Sequence, residues 1–284
     1  MAQGNTSVAS QGDLLCHSTH NDDKTETIVL LPGLLSSHRE YEFVVPYLSE
    51  FHIVAVDLNG HSGSSHIQPV TIACCADRVA HLIRAKARHG QAHVVGLSMG
   101  GFVGLILARK HPELVKSVFV TGAAPFQGSF KWMAERPSIV WFFMNALVWY
   151  TPNWLYWKLT GMQGMKRHER LLEEMRENLK WETVRDAYAS ILEFGWHDVE
   201  AIQVRTLTVA AGGDDVEATR KMGAQLPISG SQAAVVVKAV HAWDLQFPEL
   251  FARGVVAWIR GGDLPAEFEL LVPTEGATGY GVMS

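Results

Sequence analysis

The chain has little cysteine, no block of basic residues and no apolar run long enough to cross a membrane. Each absence excludes something. The three cysteines are Cys16, Cys74 and Cys75. Adjacent cysteines rarely bridge each other and no metal-ligand spacing is present, so free thiols in a reducing compartment, the cytoplasm, are expected, with no metal site. Lys and Arg are scattered and the formal net charge is −5, which argues against a nucleic-acid partner. The opening stretch MAQGNTSVASQGD has neither a basic start nor an apolar core, so no secretory leader is expected. The densest apolar stretch, IVWFFMNALVWY, is stopped by Thr151-Pro152 well short of the roughly 20 residues of a membrane span. The sequence leaves the oligomeric state open.

What is present is an alternation. TIVLLPG (27–33), HIVAVDLNG (52–60), AHVVGLS (92–98) and SVFVTGAAP (117–125) are short runs bounded by turn residues. They are apolar throughout, as suits parallel strands covered on both faces. Helical patterns separate them: YEFVVPYLSE, TIACCADRVAHLIRAKARHG and FVGLILARKHPELV. The alternation resumes with TLTVAAGG (206–213), EATRKMGAQL and AAVVVKAV (233–240), and PELFARGVVAWIRG closes it. Repeated strand–helix units predict an α/β fold with a doubly wound, mostly parallel sheet. Residues 13–125 and 201–262 are expected to form that core, and 126–200 a helical cap. Residues 1–12 and 263–284, rich in polar and turn residues, are expected to be a flexible N-terminus and a loosely held tail. The cap segment carries most of the aromatics, among them Trp132, Trp141, Phe142, Phe143, Trp149, Tyr150, Trp154, Tyr156 and Trp157. They could pack as a buried helix or line a cavity above the sheet.

Gly96-Leu97-Ser98-Met99-Gly100 places a serine between two glycines where a predicted strand becomes a predicted helix. The pattern G-x-S-x-G in that context is a nucleophile elbow: the sharp turn lifts the hydroxyl above the sheet, and larger residues at the flanks would collide. A serine nucleophile needs a base. Of thirteen histidines, only His241 stands at the C-terminal edge of a late strand. His61 and His197 could approach a pocket, but no strand end positions them. The base needs a carboxylate to orient it, and Asp214 and Asp215 both end the strand at 206–213. Asp244 and Asp198 are weaker alternatives.

The order nucleophile, acid, histidine is that of the α/β-hydrolase fold, and the chain resembles that family's lipase- and esterase-like members from about residue 14 to 262. Leu30-Leu31-Pro32-Gly33 stands where members carry LLHG, and Asp57 to Ser64, DLNGHSGS, where they carry D-x-R-G-x-G-x-S. The late strand ends in G-x-x-D from Gly212 to Asp215, which by resemblance makes Asp215 the acid. Pro32, Asn59 and Ser62 depart from the usual histidine, arginine and glycine. The resemblance also implies an oxyanion hole built from the N–H groups of Leu34 and Met99. The expected activity is serine hydrolysis, through an acyl-enzyme, of a bulky hydrophobic ester, thioester or other activated carbonyl, with Ser98, Asp215 and His241 catalytic and no cofactor. Trp141, Asn145 and Trp149 are the expected pocket residues. The aromatic cap also leaves open C–C bond hydrolysis, or a lyase or cyclase step, on a polyketide-like metabolite of secondary metabolism. A hydrolase-like ligand receptor with little turnover is the remaining alternative.

Overall fold

The structure is a computed structural model and describes residues 14–272. Eight strands form one sheet: β1 (His17–His20), β2 (Thr27–Leu31), β3 (His52–Val56), β4 (Ala92–Leu97), β5 (Val115–Thr121), β6 (Thr206–Ala211), β7 (Gln232–Val236) and β8 (Glu269–Leu270). Their spatial order is β1-β3-β2-β4-β5-β6-β7-β8, parallel except for the antiparallel edges β1 and β8. The inner strands are buried along nearly their whole length, which is why they read as continuous apolar runs rather than alternating ones.

Two helical layers cover the sheet. On one face lie α1 (Ile72–Lys86), whose first turn is capped by the Thr71 side chain, and α2 (Met99–Lys110). Their buried side chains join those of β2, β4 and β5 in one core. On the other face the turns at His38–Tyr41 and Val45–Leu48 pack with the closing helix (Pro248–Arg260) around Phe119, Trp243 and Phe251. The stretch 41–50 is therefore not the helix expected from its pattern. Pro46 lacks an N–H and its ring would clash with the carbonyl four residues earlier, so only 3-10 turns form.

Between β5 and β6 the chain rises into a layer of helices: α3 (Gly128–Ala134), α4 (Pro137–Asn145), α5 (Asn153–Met162), α6 (Glu169–Asn178), α7 (Trp181–Leu192) and α8 (Trp196–Glu200). A wider π-type turn, Ala146–Tyr150, extends α4. Val140, Val148, Tyr156, Leu172, Leu179 and Val184 form a separate small core that also holds Leu35 of the sheet's upper edge. After β6 come α9 (Val216–Gln225), β7, the short α10 (Trp243–Gln246), α11 (Pro248–Arg260) and β8.

The expected N-terminal flexible segment, 1–12, lies outside the described residues. The expected loose tail, 263–284, is corrected over 263–272, and its remainder lies outside the described residues. Phe268 is buried against Phe119 and Trp243, and β8 adds to the sheet edge along β7. One aromatic anchor outweighs the polar composition around it. Among the described residues no helix is long and apolar enough to cross a membrane.

Candidate active site

The C-terminal ends of β2, β4, β5, β6 and β7 converge on one edge of the sheet, the place where open parallel sheets bind ligands. Ser98 sits there between β4 and α2 with φ 52° and ψ −118°. That conformation is costly for a residue with a Cβ and persists only where packing enforces it. Here packing does. A Cβ on Gly96 would lie 2.4 Å from the Gly100 oxygen, and one on Gly100 would lie 2.1 Å from the Leu31 oxygen. The Ser98 N–H donates to the Thr121 oxygen at 2.8 Å and the Ser98 carbonyl accepts the first helical bond from Phe102 at 3.1 Å. Met99 is the first residue of α2, so its N–H is one of those a helix start leaves without a helical partner.

His241 follows β7 and lines the same cavity wall as Ser98. Its Nδ1 lies 2.7 Å from Asp214 Oδ1, so the carboxylate that faces it is Asp214. This corrects the expectation for Asp215, whose side chain caps α9 by accepting from the Ala218 N–H at 2.9 Å. The reason is local. The Asp214 carboxylate folds back to accept the Ala211 N–H at 2.9 Å, anchored to the strand end, while Asp215 already begins the helix. Gly122, at φ 62°, leaves room for the imidazole: a Cβ there would lie 2.5 Å from His241 Cε1. Trp243 donates from Nε1 to Thr121 Oγ1 at 2.9 Å and Gln246 accepts the Val240 N–H at 2.8 Å, which together fix the histidine loop. The surrounding protein disfavours the charged imidazole, but the hydrogen bond and charge of Asp214, helped by Glu40, outweigh it and raise the His241 pKa above its ordinary value.

The loop after β2 is held by Glu40, to which no motif points, and by His61, a histidine expected near a pocket but with no strand end to position it. Glu40 accepts the Gly33 N–H at 2.7 Å, and His61 Nε2 accepts the Leu35 N–H at 3.0 Å. Between them stands Leu34, a residue of the cavity lining. His61 is fully buried and its Nδ1 lies 2.8 Å from the Asn59 carbonyl, so Nδ1 donates and Nε2 is the acceptor. Burial depresses its pKa and keeps it neutral, as an acceptor must be. Asp57, the first residue of DLNGHSGS, organises that turn by accepting from the N–H groups of His38 (2.8 Å) and Gly63 (3.0 Å). Substitutions at Asn59 and Ser62 leave the turn intact because Asn59 donates to the Pro69 carbonyl at 3.0 Å and Ser62 bonds Asn178.

Glu40 is the unusual group. Burial pushes its carboxyl up to about 7, against the opposing pull of the Gly33 N–H. Asp244, fully buried, is held well above the usual carboxylate range by burial and by the Glu40 charge. The cap clasps this loop. Asn178 of α6 donates to the Leu35 carbonyl at 2.8 Å and accepts the Ser62 N–H at 2.7 Å. Glu174 accepts from Ser37 Oγ, and from Arg39 Nε at 2.7 Å.

Two lobes of about 270 Å³ each meet at Ser98, His241 and Tyr188. One is roofed by Met144, Tyr156, Trp157, Met165, Leu172 and Met175, and the other is bounded by Ala124, Phe126, Phe130 and Met133. Trp141, Asn145 and Trp149, the expected pocket residues, line neither. Trp141 packs edge-on to Trp181, Asn145 donates to the Trp141 carbonyl at 2.8 Å, and Trp149 is 52% exposed. Helical phase decides this: within α4 and its extension only Met144 turns toward the cavity.

Two tests follow from these geometries. In an NMR titration of the His241 ring, Asp214→Asn should lower the imidazole pKa, because the partner that raises it has lost its charge. Asp215→Asn should leave that pKa in place, and Asp215→Ala should cost about 1 kcal/mol of stability through the lost cap. A pKa that moves with Asp215 and not with Asp214 would contradict the assignment. Glu40, with a folded pKa near 7 against 4.5 unfolded, binds a proton that the unfolded chain has lost in that interval. Its contribution to stability is therefore present below about pH 4.5 and is lost as pH rises through about 7, by about 3 kcal/mol in all. Denaturant unfolding of Glu40→Gln should show a shallower decline over that window than the native chain. Parallel curves would refute it.

The profile of the alpha/beta hydrolase fold matches residues 26–171. Over 263 residues the chain is 29% identical to an AB hydrolase superfamily protein of Gibberella zeae, covering 90% of this chain and 87% of that one. Over 261 residues it is 27% identical to a pimeloyl-[acyl-carrier protein] methyl ester esterase of Neisseria meningitidis serogroup B, covering 84% of this chain and 95% of that one. Among solved structures, a thermophilic esterase from Thermogutta terrifontis superposes with a TM-score of 0.65 at 22% identity, over 90% of this chain and 97% of that one. The eight-stranded sheet, the elbow at its centre and these matches lead to one conclusion: the chain belongs to the α/β-hydrolase fold family and is a hydrolase.

Proposed function

We propose that the chain is a serine carboxylic ester hydrolase whose triad is Ser98, His241 and Asp214. One observation carries the reading: Ser98 is held at a strained elbow in the same cavity wall as a histidine whose far nitrogen is already engaged by a carboxylate. Asp214 fixes the tautomer with the proton on Nδ1, which leaves Nε2 as the base. His241 takes the Ser98 hydroxyl proton as Oγ attacks the ester carbonyl. The carbonyl electron pair moves onto oxygen, and the oxyanion is met by the N–H groups of Leu34 and Met99. Collapse expels the alcohol, which receives the proton from His241, and leaves an acyl-Ser98 ester. Water, deprotonated by His241, then attacks that ester and releases the acid.

The two lobes would take the acyl and alcohol portions on either side of Ser98. Their mostly apolar lining favours a bulky hydrophobic acyl group, with a few polar groups at the junction and at the rims. The Neisseria meningitidis relative is a methyl ester esterase, which supports an ester as the bond cleaved. Because His241 must be neutral to act as base, activity should fall on the acid side of a pKa above 6.5.

A fluorophosphonate should label the protein once, with labelling lost in Ser98→Ala, and Asp214→Asn should lower kcat by about 10³–10⁴-fold. Across p-nitrophenyl esters from acetate to laurate, kcat/KM should rise by up to roughly fourfold per buried methylene until the lobe fills. Trp157→Ala and Met175→Ala should shift the optimum to longer chains. A preference for acetate, or labelling that survives in Ser98→Ala, would refute the reading.

A further inference from the structure

The outer face of the cap is apolar and exposed. Phe142, Phe143, Leu147 and Tyr150 project from α4 and its π-type extension, and are 63%, 63%, 46% and 80% exposed. Val140, Trp141, Met144 and Val148 of the same stretch face inward. A helix that is apolar on both sides has one face too many for a protein surrounded by water. Trp154, Leu159 and Met162 of α5 continue the exposure, and Trp132 and Met133 of α3 add to it. This concentration of exposed large side chains marks an interaction surface.

Charge identifies the partner. From Arg136 to His168 the chain has no Asp or Glu, although the whole chain carries a net charge of −5. The same interval holds Arg136, Lys158, Lys166 and Arg167, of which Arg136 stands 3.9 Å from Glu135 and Arg167 pairs with Glu169. We propose that this face docks on an anionic lipid bilayer, with the aromatics seated at headgroup depth and the cations meeting lipid phosphates. Trp, Tyr and Phe alongside Lys and Arg are the composition of surfaces that lie in the interface plane. A second copy of the chain is a poorer occupant, because a two-fold interface would set this basic interval against itself. The position is also apt. Tyr156, Trp157 and Thr160 of α5 line the cavity while Trp154 and Met162 of the same helix face outward, so a docked membrane would lie directly over the cavity roof.

The test is flotation of the full chain with vesicles of phosphatidylcholine alone or with one third phosphatidylglycerol, alongside sedimentation equilibrium without lipid. The native chain should float with the anionic vesicles and stay monomeric without them. Binding should weaken at least tenfold with neutral vesicles or at high salt, since each cation near an anionic surface strengthens binding by roughly fivefold. The surface variant Phe142→Ser/Phe143→Ser/Tyr150→Ser should lose flotation while keeping its melting temperature, and Lys158→Glu should weaken it alone. A native chain that floats with neither vesicle overturns the proposal. So does flotation equal for both compositions, or a lipid-free dimer that the triple variant dissociates.

Discussion

The backbone at Ser98 is the constraint on which the site depends. A non-glycine residue at φ 52° and ψ −118° is unfavourable by itself, and nothing within the turn compensates. What enforces it is the approach of α2 to the ends of β2 and β4, so close that neither Gly96 nor Gly100 could carry a side chain. The sheet and α2, buried from Met99 to Ala108, supply the stability that the turn lacks. Strain at one residue is thus held by the largest core in the molecule. The same approach starts α2 directly after Ser98, so the hydroxyl and the positive end of the helix dipole arise from one local geometry.

The loop after β2 is positioned by hydrogen bonds buried away from solvent. Glu40 and His61 hold either side of the Leu34 peptide, and Asn178 reaches from the cap to the Leu35 carbonyl. Each partner is buried, so removal of one would leave the other unsatisfied at a cost of about 1–3 kcal/mol. The cap is for this reason not merely a lid. Through Asn178 and Glu174 it is bonded to the loop that lines the cavity, which couples the placement of the roof to the placement of that loop.

Much of this was legible in the sequence because its signals are periodic or steric. Continuous apolar strands, the glycines about Ser98 and a histidine at a strand end each follow from short-range geometry. The acid was misassigned by one residue because Gly212 and Gly213 give the turn no side chains to mark its phase, and only the fold-back to the Ala211 N–H separates the two aspartates. Trp141, Asn145 and Trp149 miss the cavity that Tyr156 and Trp157 line because helical phase, not composition, determines which side chains face inward. Glu40 has no local signal, and His61 only that of the turn around it. Their roles depend on contacts 7 and 26 residues away in sequence, and a buried Glu beside a glycine N–H has no motif. The Asp57-to-Ser64 stretch could have pointed to His61, since that turn encloses it.

A covalent intermediate on Ser98 is the claim that unites elbow, triad and oxyanion loop. Its most direct measurement is rapid quench of the native chain with excess p-nitrophenyl ester of a medium-chain acid, followed by intact-mass and peptide analysis. A burst of nitrophenolate near one equivalent per chain, with the acyl mass on the peptide bearing Ser98, is the predicted result. Steady turnover in which every quenched chain is unmodified, or an acyl group borne by any other residue, would contradict the account.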